Sequence, residues 1–159
     1  MIEIGPADAA TDWAEVLDLL HRAFAVMEGR IDPPSSLHDM DEMTLAAKAA
    51  SGACLLAVNE DENEAVIGCV FLQDHEDGLY VSKLAVDPDR QGEGIGRALM
   101  TMSEDIARAQ ERDVLILETR IELDENHLTF ARLGFEQTGQ TAHPGFDRPT
   151  SITMRKALT

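Results

Sequence analysis

Apolar residues change their spacing along the chain in a way that separates strands from helices. Ile2 and Ile4 flank Glu3, an alternation that predicts a short first strand. Trp13, Val16, Leu17, Leu20 and Phe24 then recur three and four residues apart and give one apolar helical face, with Asp12 and Glu15 at capping-box spacing. Pro33 and Pro34 cannot extend that helix, so residues 29–36 read as a break. A second helix is expected next, capped by Asp39 and Glu42 and burying Met40, Met43, Ala47 and Ala50. Three strands follow at residues 53–59, 65–73 and 79–86, with turns at 60–63 and 75–78, and links this short favour antiparallel neighbours. Ile95, Leu99, Met102 and Ile106 share one face of a longer helix. The unbroken apolar run Val114, Leu115, Ile116, Leu117 suits a strand covered on both faces. Asn126 or Asp124 is placed to cap a short last helix that Gly134 ends, before closing strands at 135–138 and 150–154. The order β-α-α-β-β-β-α-β-α-β-β predicts one α/β domain over residues 1–159 with a mixed sheet.

Charge narrows the choice of partner. Thirteen Lys and Arg face thirty Asp and Glu, a formal charge of -17. Sequence-blind nucleic-acid binding needs clustered cations to displace phosphate counterions, so no nucleic acid is expected, and no anionic membrane surface either. The first residues lack the basic and apolar regions of an export signal, and the longest apolar run, residues 53–58, is far short of the ~20 residues that span a bilayer. Cys54 and Cys69 both fall in strand-like stretches, so two buried thiols in a reducing cytoplasm are expected. No metal site is expected: cysteines are too few, and no histidine pair has helical i, i+4 spacing with a supporting acid.

Residues 84–99 carry the chemistry: Leu84-Ala85-Val86-Asp87-Pro88-Asp89-Arg90-Gln91-Gly92-Glu93-Gly94-Ile95-Gly96-Arg97-Ala98-Leu99. A strand ends, three alternate glycines follow, and a helix begins at once. Such glycines let the backbone approach a ligand closely. The first helical amides lack intrahelical partners and carry the positive end of the dipole, so the segment suits a phosphate or pyrophosphate, aided by Arg90 and Arg97. The dinucleotide fingerprint Gly-x-Gly-x-x-Gly fails here, since its last place falls on Arg97 or Leu99. A Walker loop fails too, for want of Gly-Lys before Ser or Thr. A tight turn that binds nothing is the bland alternative, and three glycines with flanking arginines weigh against it.

Gln91-Gly92-Glu93-Gly94-Ile95-Gly96 resembles the Gln/Arg-x-x-Gly-x-Gly signature of the GCN5-related N-acetyltransferase (GNAT) superfamily, after a strand that ends Leu-x-Val as the family's does. Asn126, four residues before Phe130, and the helix end Arg132-Leu133-Gly134-Phe135 are similar to the family's second motif. The resemblance implies a GNAT-like domain with a mixed, mostly antiparallel sheet of six to seven strands and about four helices. It implies an N-acetyltransferase that moves an acetyl group from acetyl-CoA directly to a primary amine of a small molecule or peptide, and it leaves a homodimer open. By the same resemblance, the amides of Gln91, Gly92, Glu93, Gly94, Ile95, Gly96 and Arg97 would hold the pyrophosphate. The strand ending Leu84, Ala85 and Val86 would splay from its neighbour and pair through its backbone with the pantetheine arm, with the Val86 N–H polarising the thioester carbonyl, and Asn126 and Phe130 would stand near the thiol.

The family often has Tyr, as the acid for the departing thiolate, where this chain has Phe130. A non-catalytic acyl-CoA-binding or sensing module is therefore a second reading. Tyr80 is the only tyrosine and by alternation shares a face with Ser82, Leu84 and Val86, so it approaches the cofactor or simply packs. Glu118 at a strand end and His143 in the loop 141–150 are the candidates for taking the amine's proton. Each also reads blandly, as a solvated strand end and a surface loop. Residues 30–36 are a candidate acceptor contact or a rigid connector. The acidic overall charge favours cationic acceptors such as an amino sugar, polyamine or peptide amine, or serves solubility.

Overall fold

The computed structural model describes residues 1–158. Strands β1 (Ile2–Pro6), β2 (Ala53–Asn59), β3 (Ala65–His75), β4 (Gly78–Val86), β5 (Val114–Arg120), β6 (Glu136–Thr141) and β7 (Ser151–Ala157) form one sheet in the order β1-β2-β3-β4-β5-β7-β6. Among the described residues only the β4–β5 pair is parallel. Helices α1 (Trp13–Phe24), α2 (Glu42–Ala50), α3 (Ile95–Ala109) and α4 (Asp124–Arg132) complete the α/β domain.

The sheet divides two cores because successive strand residues point to opposite faces. On one face Val16, Leu19 and Leu20 of α1 and Leu45 of α2 bury against Cys54, Cys69 and Phe71. On the other, Ile95, Leu99 and Met100 of α3 bury against Val70, Leu72, Leu115 and Leu117, with Phe130 and Leu133 beside them. Truncating a fully buried leucine such as Leu20 or Leu99 to alanine would cost about 2–5 kcal/mol. Both cysteines are free and buried, and burial pushes the Cys54 thiol up to about 12.

Helix starts agree with the expectations in part. Asp12 accepts from the Ala14 and Glu15 N–H groups at 3.0 and 3.3 Å, but Glu15 does not complete a capping box. Its carboxylate accepts instead from the Val66 N–H at 3.3 Å and ties α1 to β3. Asp41, not Asp39 or Glu42, caps α2, accepting from the Thr44 N–H at 2.8 Å. The α2 face is likewise corrected in part: Met40 packs against the core as expected, but Leu45 is the buried residue and Met43 is 81% exposed, because the branched leucine takes the sheet side and turns Ala47 and Ala50 outward. Neither Asp124 nor Asn126 caps α4; both lie within its first turn, where buried Leu123 anchors the start. Gly134, at φ +99°, ends that helix as expected.

Two departures from regularity shape the centre. The β3–β4 register shifts between Cys69 and Phe71, and Lys83 has φ +51°. Phe71 faces Ser82 while Cys69 faces Ala85, so an extra residue on β4 inverts its alternation. Tyr80 and Ser82 therefore lie on the α1/α2 face, whereas Leu84 and Val86 pack with the α3 core. The single face expected for all four is overturned by that bulge. Second, β4 and β5 pair only at Leu79–Leu115 and Tyr80–Ile116, and beyond these positions the strands separate. No helix among the described residues is long and apolar enough to cross a membrane.

Candidate functional site

The separated ends of β4 and β5 open two connected spaces. A groove of about 420 Å3 runs between the end of β4, the start of α3 and the flank of α4. A cleft of about 640 Å3 lies between β4, β5 and the α1–α2 link. Leu84, Asn126 and Phe130 line both, with Phe24 and Met27 of the α1 end, so the spaces meet there.

The groove is built by local sequence. Gly68 on β3 lets α3 settle close: a Cβ there would stand 3.0 Å from the Ile95 side chain and 3.1 Å from that of Leu99. The helix start is thereby held beside Val86. Gly92 and Gly94 adopt φ +84° and +82°, which glycine tolerates and other residues rarely do. No atom lies within 4 Å of where either Cβ would point, so the loop backbone faces open space. Gly94 occupies the N-cap of α3 and supplies no side-chain bond, leaving the first-turn amides exposed to a ligand.

Antiparallel pairing also decides where the end of β4 points. The Asp87 N–H donates to the Ile67 carbonyl at 2.8 Å, so by alternation Val86 turns its N–H and C=O away from β3. The Gln91 side-chain amide donates to that Val86 carbonyl at 3.3 Å. Of the loop residues expected to line the site, Gln91, Gly92, Gly94, Ile95, Gly96 and Arg97 do so, and Glu93 turns toward Arg90 at 3.8 Å. Arg90 borders the groove but is engaged by Glu62 as well as Glu93, which raises its pKa. Arg97 has no carboxylate partner among the described residues, and neither has Arg132 on α4, a groove cation that sequence reasoning missed.

The cleft gathers Tyr80, Glu118 and His143 from distant parts of the chain. Burial, then the Glu118 charge, pushes the Tyr80 phenol up to about 12, so it keeps its proton at neutral pH. Its ring stacks on His75 with centroids 6.2 Å apart. Glu118 is exposed and accepts from the Thr141 hydroxyl at 3.3 Å. Burial, then the Arg120 charge, lowers the His143 pKa, and its Nδ1 bonds the Thr150 hydroxyl. Val86 stands apart from these three, on the groove side.

The α1–α2 link forms a wall of the cleft through Pro34, Ser35 and Ser36. Arg120 donates to the Pro33 and Pro34 carbonyls at 2.6 and 3.1 Å, and Arg148 meets Asp32 at 3.0 Å. The link thus both contacts the cleft and is fastened to β5 and the β6–β7 loop. Sequence reasoning also missed Lys48, Lys83 and Arg120 in this space. Their signal is tertiary, since it consists of cations with no ion-pair contact to a carboxylate among the described residues.

A model of the acetyltransferase (GNAT) family matches residues 13–135. The chain belongs to the GNAT family. It is 30% identical over 132 residues to the IAA acetyltransferase of Azospirillum brasilense, covering 82% of each chain. It is 31% identical over 108 residues to the N-acetyltransferase 8B of Homo sapiens, covering 65% of this chain and 47% of that protein. The fold of this GNAT chain superposes on the PaiA N-acetyltransferase of Thermoplasma acidophilum, a structure solved in complex with coenzyme A, with a TM-score of 0.82 over 99% of each chain at 14% identity.

Proposed function

We propose that this GNAT protein transfers an acetyl group from acetyl-CoA directly to a primary amine of a small molecule or peptide. The observation that carries the reading is the separation of β4 from β5, which joins an amide-lined groove to a side-chain-lined cleft at Asn126 and Phe130. The coenzyme A held by the Thermoplasma relative supports the same ligand class here. The open Gly92–Gly94 cradle and the unpaired Arg97 and Arg132 fit a diphosphate.

Bound acetyl-CoA supplies the thioester that the amine attacks. The Val86 N–H, turned away from β3, is the donor placed to stabilise developing negative charge on its carbonyl oxygen. The groove takes acetyl-CoA and the cleft takes the acceptor amine, and joining the two spaces holds the reactants together, which contributes the positioning part of the rate. His143 is the base. The Thr150 hydroxyl has one hydrogen, and given to the Thr141 carbonyl at 3.5 Å it leaves that oxygen accepting from the His143 backbone N–H and from Nδ1–H. Nε2 is then unprotonated, and the depressed pKa keeps the ring neutral at pH 7. As the amine nitrogen bonds the acetyl carbonyl carbon, the thioester C–S bond would break and CoA would leave as its thiolate, protonated by Tyr80 or water, while the amine's proton passes to His143 and on to solvent past Glu118.

A coupled pair of measurements tests this. Calorimetry is expected to show acetyl-CoA binding, and a thiol-trapping assay with a panel of amines is expected to show release of free CoA that depends on the amine. Binding without turnover for any amine would favour the sensing module, which Phe130 at the junction keeps in view because its ring offers no proton. Absence of binding would overturn both readings.

A further inference from the structure

We infer that the acceptor is an amine that also carries an oxyanion, a carboxylate or a phosphate, seated between the ammonium groups of Lys48 and Lys83. The inference deepens the proposed function and rests on its assignment of the cleft to the acceptor.

The distribution of unpaired cations carries it. Of the thirteen basic side chains, eight are in ion-pair contact with a carboxylate among the described residues. The other five are Lys48, Lys83, Arg97, Arg120 and Arg132. Arg97 and Arg132 border the groove, and Lys48, Lys83 and Arg120 border the cleft. Among the described residues, the Lys and Arg side chains left outside ion-pair contact are the ones that line these two spaces. Two of its three lysines are in the cleft.

Local contacts leave both lysines short of counter-charge. Lys48 donates to the Gln73 side-chain oxygen at 3.0 Å and sits 6.0 Å from the centre of the Phe71 ring. Lys83 donates to the Ser36 hydroxyl at 3.5 Å. Arg120 donates to backbone carbonyls, while the charges of Glu122 and Asp32 act on it from outside ion-pair contact. Burial holds both lysines below their ordinary pKa, and on Lys83 the charges of Lys48 and Arg120 add to it. Half-buried like charges that repel one another are costly unless something neutralises them. The cleft's own carboxylates, Asp39 and Glu118, are outside ion-pair contact with either lysine. The Ser82 hydroxyl, buried without a partner beside Lys83, is a further unused hydrogen-bonding group.

Screening reconciles this with a chain at -17. Beyond about 8 Å, exposed charges are largely damped at physiological ionic strength, so the sign inside the cleft is set by its walls. An acceptor with cations alone, the class that overall charge favours, would bring them against Lys48 and Lys83. An acceptor with an acidic group relieves the repulsion and frees its amine to face Glu118 and His143.

The test compares acetylation rates for matched pairs, in protein shown by calorimetry to bind acetyl-CoA. Free α-amino acids are set against their carboxamides, and 2-aminoethyl phosphate against ethanolamine. The acidic member is expected to show kcat/KM higher by about tenfold or more, chiefly through KM. The two arms report whether the oxyanion is a carboxylate or a phosphate. Lys83→Gln and Lys48→Gln are each expected to bring the ratio within about threefold while acetyl-CoA affinity holds, which shows the variants are folded. Neutral members that react as well in the unaltered protein, or a preference that survives both substitutions, would overturn the inference. If no pair turns over, calorimetry of the same pairs on CoA-loaded protein decides. Tighter binding of the acidic member, lost in Lys83→Gln, supports the inference, and equal affinity overturns it. Failure to bind acetyl-CoA would instead overturn the proposed function and this assignment with it.

Discussion

The groove and the cleft are made in different ways, although they share Leu84, Asn126 and Phe130. The groove is mostly backbone: one segment, residues 84–97, supplies glycine conformations, exposed amides and a helix start, with exposed arginines at its edge. The cleft is mostly side chain, drawn from the α1–α2 link, α2, β4, β5, α4 and the β6–β7 loop. Its cations are half-buried and expensive where Arg97 and Arg132 of the groove are exposed and cheap. The half that would meet a diphosphate needs little beyond peptide groups in order. The half that would choose an acceptor needs tertiary placement of a few charged groups.

Substitutions that touch one half and spare the other sharpen this contrast. The largest effect is expected in the groove. Gly94→Glu forces a side chain onto φ +82° and puts a negative charge into the open space before the α3 amides. Affinity for CoA is expected to fall by about a hundredfold or more by calorimetry. Retained affinity would show that the loop is not the cradle.

His143→Gln is expected to act on the cleft alone, lowering kcat by about 10- to 100-fold with CoA affinity unchanged. Because its pKa is lowered from 6.5, the neutral base persists as the medium is acidified, and activity is lost only as pH falls through that depressed value. The acid limb of kcat should therefore lie below pH 6.5 and vanish in the variant. A limb that remains would move the role to Glu118. At the junction, Phe130→Tyr restores a hydroxyl and is expected to raise kcat about threefold to tenfold. An unchanged kcat would mean that another group, Tyr80 or water, already protonates the thiolate.

What the sequence disclosed follows the same division. The glycine loop, the uncapped start of α3 and the end of α4 at Gly134 depend on neighbours a few residues away, and the structure agrees with their reading. The parting of β4 from β5 was implied by the resemblance and is present. Periodicity failed where packing overrode it. One extra residue at Lys83 puts Leu84 and Val86 on the face opposite Tyr80, and no composition cue marks such a bulge. Buried Leu45 reverses the expected face of α2. Arg90 looked like a free cation until Glu62, 28 residues away, was folded against it. Lys48 and Lys83 carry no local signal, because only the fold shows that they lack an ion-pair contact among the described residues.

The smallest effect bears on the cost of the cleft's charges. Lys83→Met keeps most of the buried stem and the same positive φ, so it removes the ammonium and little else. Without ligand at pH 7 it is expected to raise Tm by about 2 °C, since relief of order 1 kcal/mol moves a chain of this size by roughly 2–4 °C. The sign has a pH signature. A lysine held below 10.5 in the fold binds its proton less tightly folded than unfolded, so the unaltered protein gains stability as pH rises through the folded value and levels off near 10.5. The gap between the two proteins should therefore close as the solution becomes alkaline, as read by melts at a series of pH values. A saturating acidic acceptor with CoA should close it at neutral pH as well, by neutralising the charge rather than removing it. A variant that melts lower than the unaltered protein at pH 7 would mean that Lys83 is already satisfied where it stands, and the cleft would lose its claim to be waiting for an anion.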